Sequence, residues 1–245
     1  MHDLISWTTL ITGYLQHGCG QEALNCYDQL LHEGLFPDAV ALSCIFKACG
    51  VMVAIGKGQE IHARIASDGL VEEHILVGNA LLDMYVKCGA VGKANEVFNQ
   101  LPMKDIVTWN AIIAGYAETG DGKKALEFVR RMQCEGLTSD PVTCISILKA
   151  CGSLKAHAKG HEIHGELSQE GFLPNDIVLG TAVLDMYVKC GSLVKAEQVF
   201  YALPEKNVVS WTALIGGYAQ HGQCDKALEA FEKMQKDGLK PNVVT

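Results

Sequence analysis

The sequence predicts an all-α fold: an α-solenoid superhelix of about seven helix-turn-helix repeats. Three observations predict it. The three tryptophans, Trp7, Trp109 and Trp211, stand 102 residues apart. Whole segments recur at that offset: Leu82-Asp83-Met84-Tyr85-Val86-Lys87-Cys88-Gly89 returns unchanged at 184–191, and Lys47-Ala48-Cys49-Gly50 at 149–152. Apolar residues keep the three-and-four spacing of a helix face, and no segment sustains the period-two alternation of a strand.

The 102-residue period divides into three parts of 35, 36 and 31 residues. The expected repeats are 4–38, 39–74 and 75–105, then 106–140, 141–176 and 177–207, then 208–242, with a partial restart at 243–245. Together they form one array over 1–245. In the first repeat, Trp7, Leu10, Ile11 and Tyr14 make one helical stripe. Gly18 and Gly20 break it. Ala23, Leu24, Tyr27 and Leu30 make a second stripe, closed by Gly34 and Pro37, which are helix stop signals. The fourth repeat carries its second stripe at Ala125, Leu126, Val129 and Met132, closed by Gly136. The seventh does so at Ala227, Leu228, Phe231 and Met234, closed by Gly238 and Pro241. A single hairpin cannot bury both its apolar faces, whereas stacked hairpins can. Gly13, Gly115 and Gly217 recur inside first-helix patterns, where glycine costs about 1 kcal/mol relative to alanine. Their recurrence beside a tyrosine points to close helix–helix approach.

Composition narrows the function. The chain is 49% hydrophobic with a formal charge of −8, which argues against binding nucleic acid by charge alone. Any such binding must rest on positioned polar groups. Nothing approaches 18 consecutive apolar residues, the length of a membrane span. The N-terminus lacks the basic and apolar regions of a signal peptide and the Arg- and Ser-rich character of a transit peptide. The sequence reads as a piece excised from a longer protein. Ten cysteines without a C-x-x-C pair read as reduced core thiols. His161-Glu162-Ile163-His164 is one residue short of H-E-x-x-H, and its counterpart Gln59-Glu60-Ile61-His62 keeps one histidine, so no metal site is expected. No phosphate-binding glycine loop is present. The expectation is no catalytic residue, no cofactor and no enzyme activity.

Three phrases carry a family resemblance: Val107-Thr108-Trp109-Asn110-Ala111-Ile112-Ile113-Ala114-Gly115-Tyr116, the repeated Leu82–Gly89 segment, and Gly58-Gln59-Glu60-Ile61-His62. The uneven lengths do not fit the 34-residue period of tetratricopeptide repeats. The chain resembles the pentatricopeptide repeat (PPR) family over Leu4 to Asn242. The resemblance is to its plant subclass, in which long and short variants alternate with the standard repeat.

The resemblance implies binding of single-stranded RNA at about one base per repeat. It assigns base reading to the fifth and last residues of each repeat: Thr8 with Asp38, Asn79 with Asp105, Asn110 with Asp140, Thr181 with Asn207, and Thr212 with Asn242. Ser43 with His74 and Ile145 with Asp176 are weak candidates, because an Ile side chain cannot hydrogen-bond a base and His is not a usual partner. By this resemblance Thr with Asp goes with guanine, Asn with Asp with uracil, and Thr with Asn with adenine. The implied target is 5′-G-?-U-U-?-A-A-3′. The second residue of each repeat is expected against a base face: Ile5, Leu76, Val107, Val178 and Val209, with Val40 and Val142 in the long repeats. Lys87 and Lys189 are candidates for phosphate contact.

A plainer reading stands beside this one, since Asp, Asn, Ser and Thr before a helix are ordinary N-caps. The resemblance further implies a mitochondrial or chloroplast setting and a role in RNA editing or processing. Many relatives in the subclass carry a cytidine deaminase domain, but the H-x-E and P-C-x-x-C that its chemistry needs are not arranged here. The alternative is a protein-interaction solenoid, whose long repeats dock an accessory organellar RNA editing factor. No membrane or small-molecule partner is expected.

Overall fold

The computed structural model describes residues 3–66, 69–173, 176–243 and 245. Of the partial restart at 243–245, position 244 lies outside the described residues. Among the described residues every regular element is a helix. The chain divides into two compact units, 1–119 and 120–245.

The first unit contains α1 (Leu4–Gln16), α2 (Gly20–His32), α3 (Ala39–Val51), α4 (Ile55–Ile65), a single turn α5 (Leu70–Glu73), α6 (Ile75–Lys87), α7 (Val91–Gln100) and α8 (Ile106–Glu118). Successive hairpins stack through their first helices: α1 packs on α3, α3 on α6, and α6 on α8. The second helices α2 and α7 close over the next first helix, α3 and α8. The second unit contains α9 (Gly122–Cys134), α10 (Pro141–Leu154), α11 (His157–Gln169), α12 (Ile177–Lys189), α13 (Leu193–Ala202), α14 (Val208–Gln220) and α15 (Cys224–Lys236). Here α10 packs on α12, α12 on α14, and α13 again bridges to α14.

Local signals explain the helix ends. Asp3, Asp38 and Asp105 accept a hydrogen bond from a first-turn N–H of α1, α3 and α8, satisfying a donor that has no partner inside the helix. After α6, Gly89 takes φ +73°. Its N–H donates to Val86 O at 2.9 Å and that of Ala90 to Tyr85 O at 2.8 Å, the paired bonds of a Schellman stop. The long hairpins make the same stop without glycine: Val53 and Lys155 both sit at φ +52°.

The core follows the recurrent stripes. Phe98 meets Trp109 edge-on at 4.8 Å, and Phe200 meets Trp211 at 4.6 Å, a favourable aromatic geometry. Cys26, Cys44, Cys49, Cys144 and Cys151 are buried, and all ten cysteines are free thiols. Burial pushes the thiols of Cys49, Cys144 and Cys151 up to about 11, so they stay protonated and inert.

The stripes expected to be core are not all covered. Leu10, Tyr14 and Leu228 are exposed, and Leu126 is half-buried. Tyr14 is 38% exposed, whereas its counterparts Tyr116 and Tyr218 are 7% and 5% exposed. A hairpin buries its outer faces only against a neighbour, and among the described residues no hairpin packs on the outer face of α1 or of α15. The same cause separates the recurrent glycines. A β-carbon on Gly115 or Gly217 would lie 2.8 Å from Val86 or Val188 Cγ2, while Gly13 has nothing within 4 Å.

Candidate nucleic-acid interface

Each first helix presents three residues near its start: the N-cap before it, an apolar residue at its second position, and a residue one turn in. The N-cap is the last residue of the preceding repeat. Its extended backbone turns the side chain back over the helix end. The residue one turn in is the fifth of its own repeat, and its partner is the N-cap of the next first helix.

In the first unit this brings two pairs together. Thr8 Oγ1 donates to Asp38 Oδ2 at 3.3 Å, while Asp38 Oδ1 accepts from Ala41 N at 2.7 Å. Asn79 Nδ2 donates to Asp105 Oδ1 and Oδ2 at 3.1 and 3.4 Å. Asp105 Oδ1 also accepts from Thr108 N at 2.9 Å. Burial alone would raise the Asp105 carboxyl. The Thr108 N–H and hydroxyl and the Asn79 amide together hold it below its ordinary range. Ser43 is buried at 3% exposure, and His74, exposed, makes no side-chain bond to α6.

In the second unit, Asp140 caps α10 through Thr143 N at 2.8 Å. Asp176 caps α12 through Val178 N and Leu179 N, and Asn207 caps α14 through Ser210 N at 2.9 Å. Ile145 is half-buried. Thr181 Oγ1 turns back to Ile177 O at 2.7 Å, as Thr212 Oγ1 does to Val208 O. Thr212 and Asn242 are joined through Thr245: the two threonine hydroxyls lie 2.7 Å apart, and Thr245 Oγ1 donates to Asn242 Oδ1 at 2.9 Å. Asn110, on the first unit, is buried. The N-cap reading is therefore realised at five of the last-position residues, Asp38, Asp105, Asp140, Asp176 and Asn207.

The second-position residues behave as one set. Ile5, Val40, Leu76, Val107, Val142, Val178 and Val209 are all exposed, from 46% at Leu76 to 76% at Ile5. Each lies beside a buried stripe on its own helix, so each first helix leaves this apolar side chain in solvent near its N-cap.

The lysines are engaged locally. Lys87 pairs with Asp83 and Lys189 with Asp185, each at 2.7 Å and one turn apart. Partly exposed pairs of this kind are weak, yet the carboxylate offsets the charge offered to a phosphate. The histidines of the metal-like fragment serve a tyrosine instead: His161 Nδ1 and His164 Nδ1 each lie 2.9 Å from Tyr187 Oη. His62 and Tyr85 make the same contact at 2.9 Å. Among the described residues no group of three or more His, Cys, Asp or Glu is placed to hold a metal ion.

Reading the sequence by pairs missed the third residue of the first helix. Thr108 and Thr143 put a hydroxyl beside the N-cap carboxylate, Ser210 puts one on the backbone N–H and carbonyl of Asn207, and Thr245 puts one beside the Asn242 side chain. Its signal was present: the same residue type three places after the last-position Asp or Asn.

Helical hairpins stacked through their first helices, with caps and exposed apolar residues repeated at fixed positions, define a helical-repeat protein. The model of the PPR repeat family matches residues 2–50, 104–153 and 206–245, and the related PPR repeat model matches 79–106 and 181–208. The chain belongs to the PPR repeat family. It is 35% identical over 96% of its length to the pentatricopeptide repeat-containing protein At4g18520, chloroplastic, of Arabidopsis thaliana. It is 37% identical over 99% to At2g03380, mitochondrial, from the same plant. It spans 38% and 35% of those two relatives. Its fold is similar to that of the PPR protein PPR10 of maize, solved in complex with an 18-nt psaJ RNA element. That match has TM-score 0.80 at 20% identity and covers 100% of this chain and 37% of PPR10.

Proposed function

We propose that this chain binds single-stranded RNA sequence-selectively, about one base per hairpin, within a PPR protein whose long and short repeats alternate with the standard one. The observation that carries the reading is the exposed apolar residue at the second position of each first helix, Ile5, Val40, Leu76 and Val107 in the first unit and Val142, Val178 and Val209 in the second. Aliphatic side chains are normally buried, each worth about 1.5–3 kcal/mol. A flat base face can cover them, and a polar pair beside them can meet the base edge. The family membership and the likeness to PPR10 support the same reading.

The proposed readers are Thr8/Asp38, Asn79/Asp105, Asn110/Asp140, Thr181/Asn207 and Thr212/Asn242, for a target 5′-G-?-U-U-?-A-A-3′, with the seven repeats set out above as the reading units. Lys87 and Lys189 reach phosphate only in competition with Asp83 and Asp185. The chain performs no catalytic step in this reading. It guides editing or processing of an RNA in a mitochondrion or chloroplast, the compartments for which the two relatives are named. The second reading, docking of an accessory editing protein, is favoured at the long hairpins alone, where the fifth residues are buried Ser43 and apolar Ile145.

Fluorescence anisotropy with a labelled seven-base RNA tests the proposal. The matching RNA is expected to bind about tenfold or more tightly than one carrying G→C and A→G exchanges, since several hydrogen bonds worth about 1 kcal/mol each are lost. Equal affinities overturn the assignment.

A further inference from the structure

We infer that Thr108, the third residue of α8, is a positioning residue that sets how Asn79 and Asp105 meet a base. This rests on the RNA-reading function proposed above and deepens it.

A side-chain amide has two unlike edges, one donating and one accepting. At Asn79 each is engaged differently. Nδ2 donates to the Asp105 carboxylate at 3.1 and 3.4 Å, and Oδ1 accepts from Thr108 Oγ1 at 2.6 Å. The Thr108 hydroxyl itself accepts from Asp105 N at 3.2 Å, and its hydrogen faces Asn79 Oδ1 and Asp105 Oδ1, at 2.6 and 2.9 Å. Flipping the amide would set Oδ1 against the carboxylate, acceptor on acceptor. Asn79 therefore has one orientation, held from both sides. Its remaining amide hydrogen and remaining carbonyl lone pair are left in a fixed order. Uracil, with an N–H donor beside a carbonyl acceptor, meets that order. Cytosine, with an acceptor beside an amino donor, needs the reverse.

A related three-part arrangement joins Thr212, Asn242 and Thr245 in the second unit. Thr245 Oγ1 lies 2.7 Å from Thr212 Oγ1, donates to Asn242 Oδ1 at 2.9 Å and accepts from Asn242 N at 3.3 Å. By contrast Ala41, Val77 and Leu179 occupy the third position after Asp38, His74 and Asp176. Two of these three follow the pairs to which no base is assigned. The third, Asp38, receives the Thr8 hydroxyl directly.

The test compares the full chain with Thr108→Val, Thr108→Ser and Asn79→Ala, measuring by anisotropy the affinity for RNAs that differ only in U or C at the third base. Thr108→Val removes the hydroxyl and keeps the shape. It is expected to cut the U-over-C preference about fivefold, the scale of one hydrogen bond, with the preference at the first base unchanged and Thr108→Ser restoring it. Because Thr108 is buried within a cap, Thr245→Val and Thr245→Ser are read in parallel at the seventh base, A against G. A wild-type preference in a folded valine variant, while Asn79→Ala loses its own, overturns the positioning role and leaves RNA reading intact. A wild-type preference in Asn79→Ala overturns RNA reading at this hairpin, and the positioning role with it.

Discussion

Val86 of α6 lies against Gly115 of α8 so closely that a β-carbon on Gly115 would stand 2.8 Å from Val86 Cγ2 and 3.2 Å from Cγ1. Val86 is β-branched and has no long side chain to swing away. Gly115→Ala is therefore expected to destabilise the chain by about 1–3 kcal/mol, the usual scale of overpacking. Gly13, at the same repeat position, meets nothing within 4 Å. Gly13→Ala is expected to stabilise by about 0.5–1 kcal/mol through helix propensity. Urea melts of the two variants check the opposite signs. A loss in both would mean that the glycine serves the helix itself rather than its neighbour.

Val53 ends α3 at φ +52° and is exposed. A left-handed conformation costs an L-residue roughly 1–2 kcal/mol, and no packing is lost on trimming this side chain. Val53→Gly is expected to raise stability by about 1 kcal/mol after the larger chain entropy of glycine is subtracted. Thermal melting reads it, with Lys155→Gly moving in the same direction.

Burial, then His161 and Lys195, lower the pKa of His164 from its ordinary 6.5. The unfolded chain takes up the proton more readily. The stabilisation from a neutral His164 is thus present above the unfolded value and falls away as pH drops through it toward the folded value. Melting temperature is expected to fall on going from about pH 7.5 to about pH 5.5, and His164→Asn to flatten that slope. An unchanged slope in the variant would remove His164 as its source.

Thr181→Asn places a carboxamide opposite Asn207. Under the proposed reading, the preference for adenine at the sixth base is expected to fall several-fold while the other positions hold. Unbiased RNA selection with both proteins, followed by sequencing, shows whether one column of the motif moves alone.

The fold class was legible in the chain because every level agreed: the 102-residue recurrence, the helical stripes and the glycine stops. Trp109, Ile113 and Met132 are buried where the stripe put them. The misjudged residues fail for one reason. A stripe tells what a helix can bury and not whether a neighbour is there to cover it, hence exposed Leu10, Tyr14 and Leu228. Local spacing also could not foresee Val53 in a glycine conformation, or the turn α5, whose hydrophobic anchor Val71 is buried. At the candidate site, the family resemblance pointed to the fifth and last residues, most of them polar. Sequence reasoning could not weigh the hydroxyl three residues on, because the bond from Thr108 to Asn79 joins positions 29 apart. The His–Tyr contacts were hidden for the same reason, spanning 23 and 26 residues.

Asp38 holds the start of α3 with one oxygen and Thr8 with the other, and Asp105 likewise serves α8 and Asn79. The letter at this position thus obeys two grammars at once. Side chains that can cap a helix are favoured there, which biases the alphabet toward a few short polar residues. His74, which makes no side-chain cap, falls outside that alphabet. Redesigning this surface means editing each boundary residue and the helix it starts as a single unit.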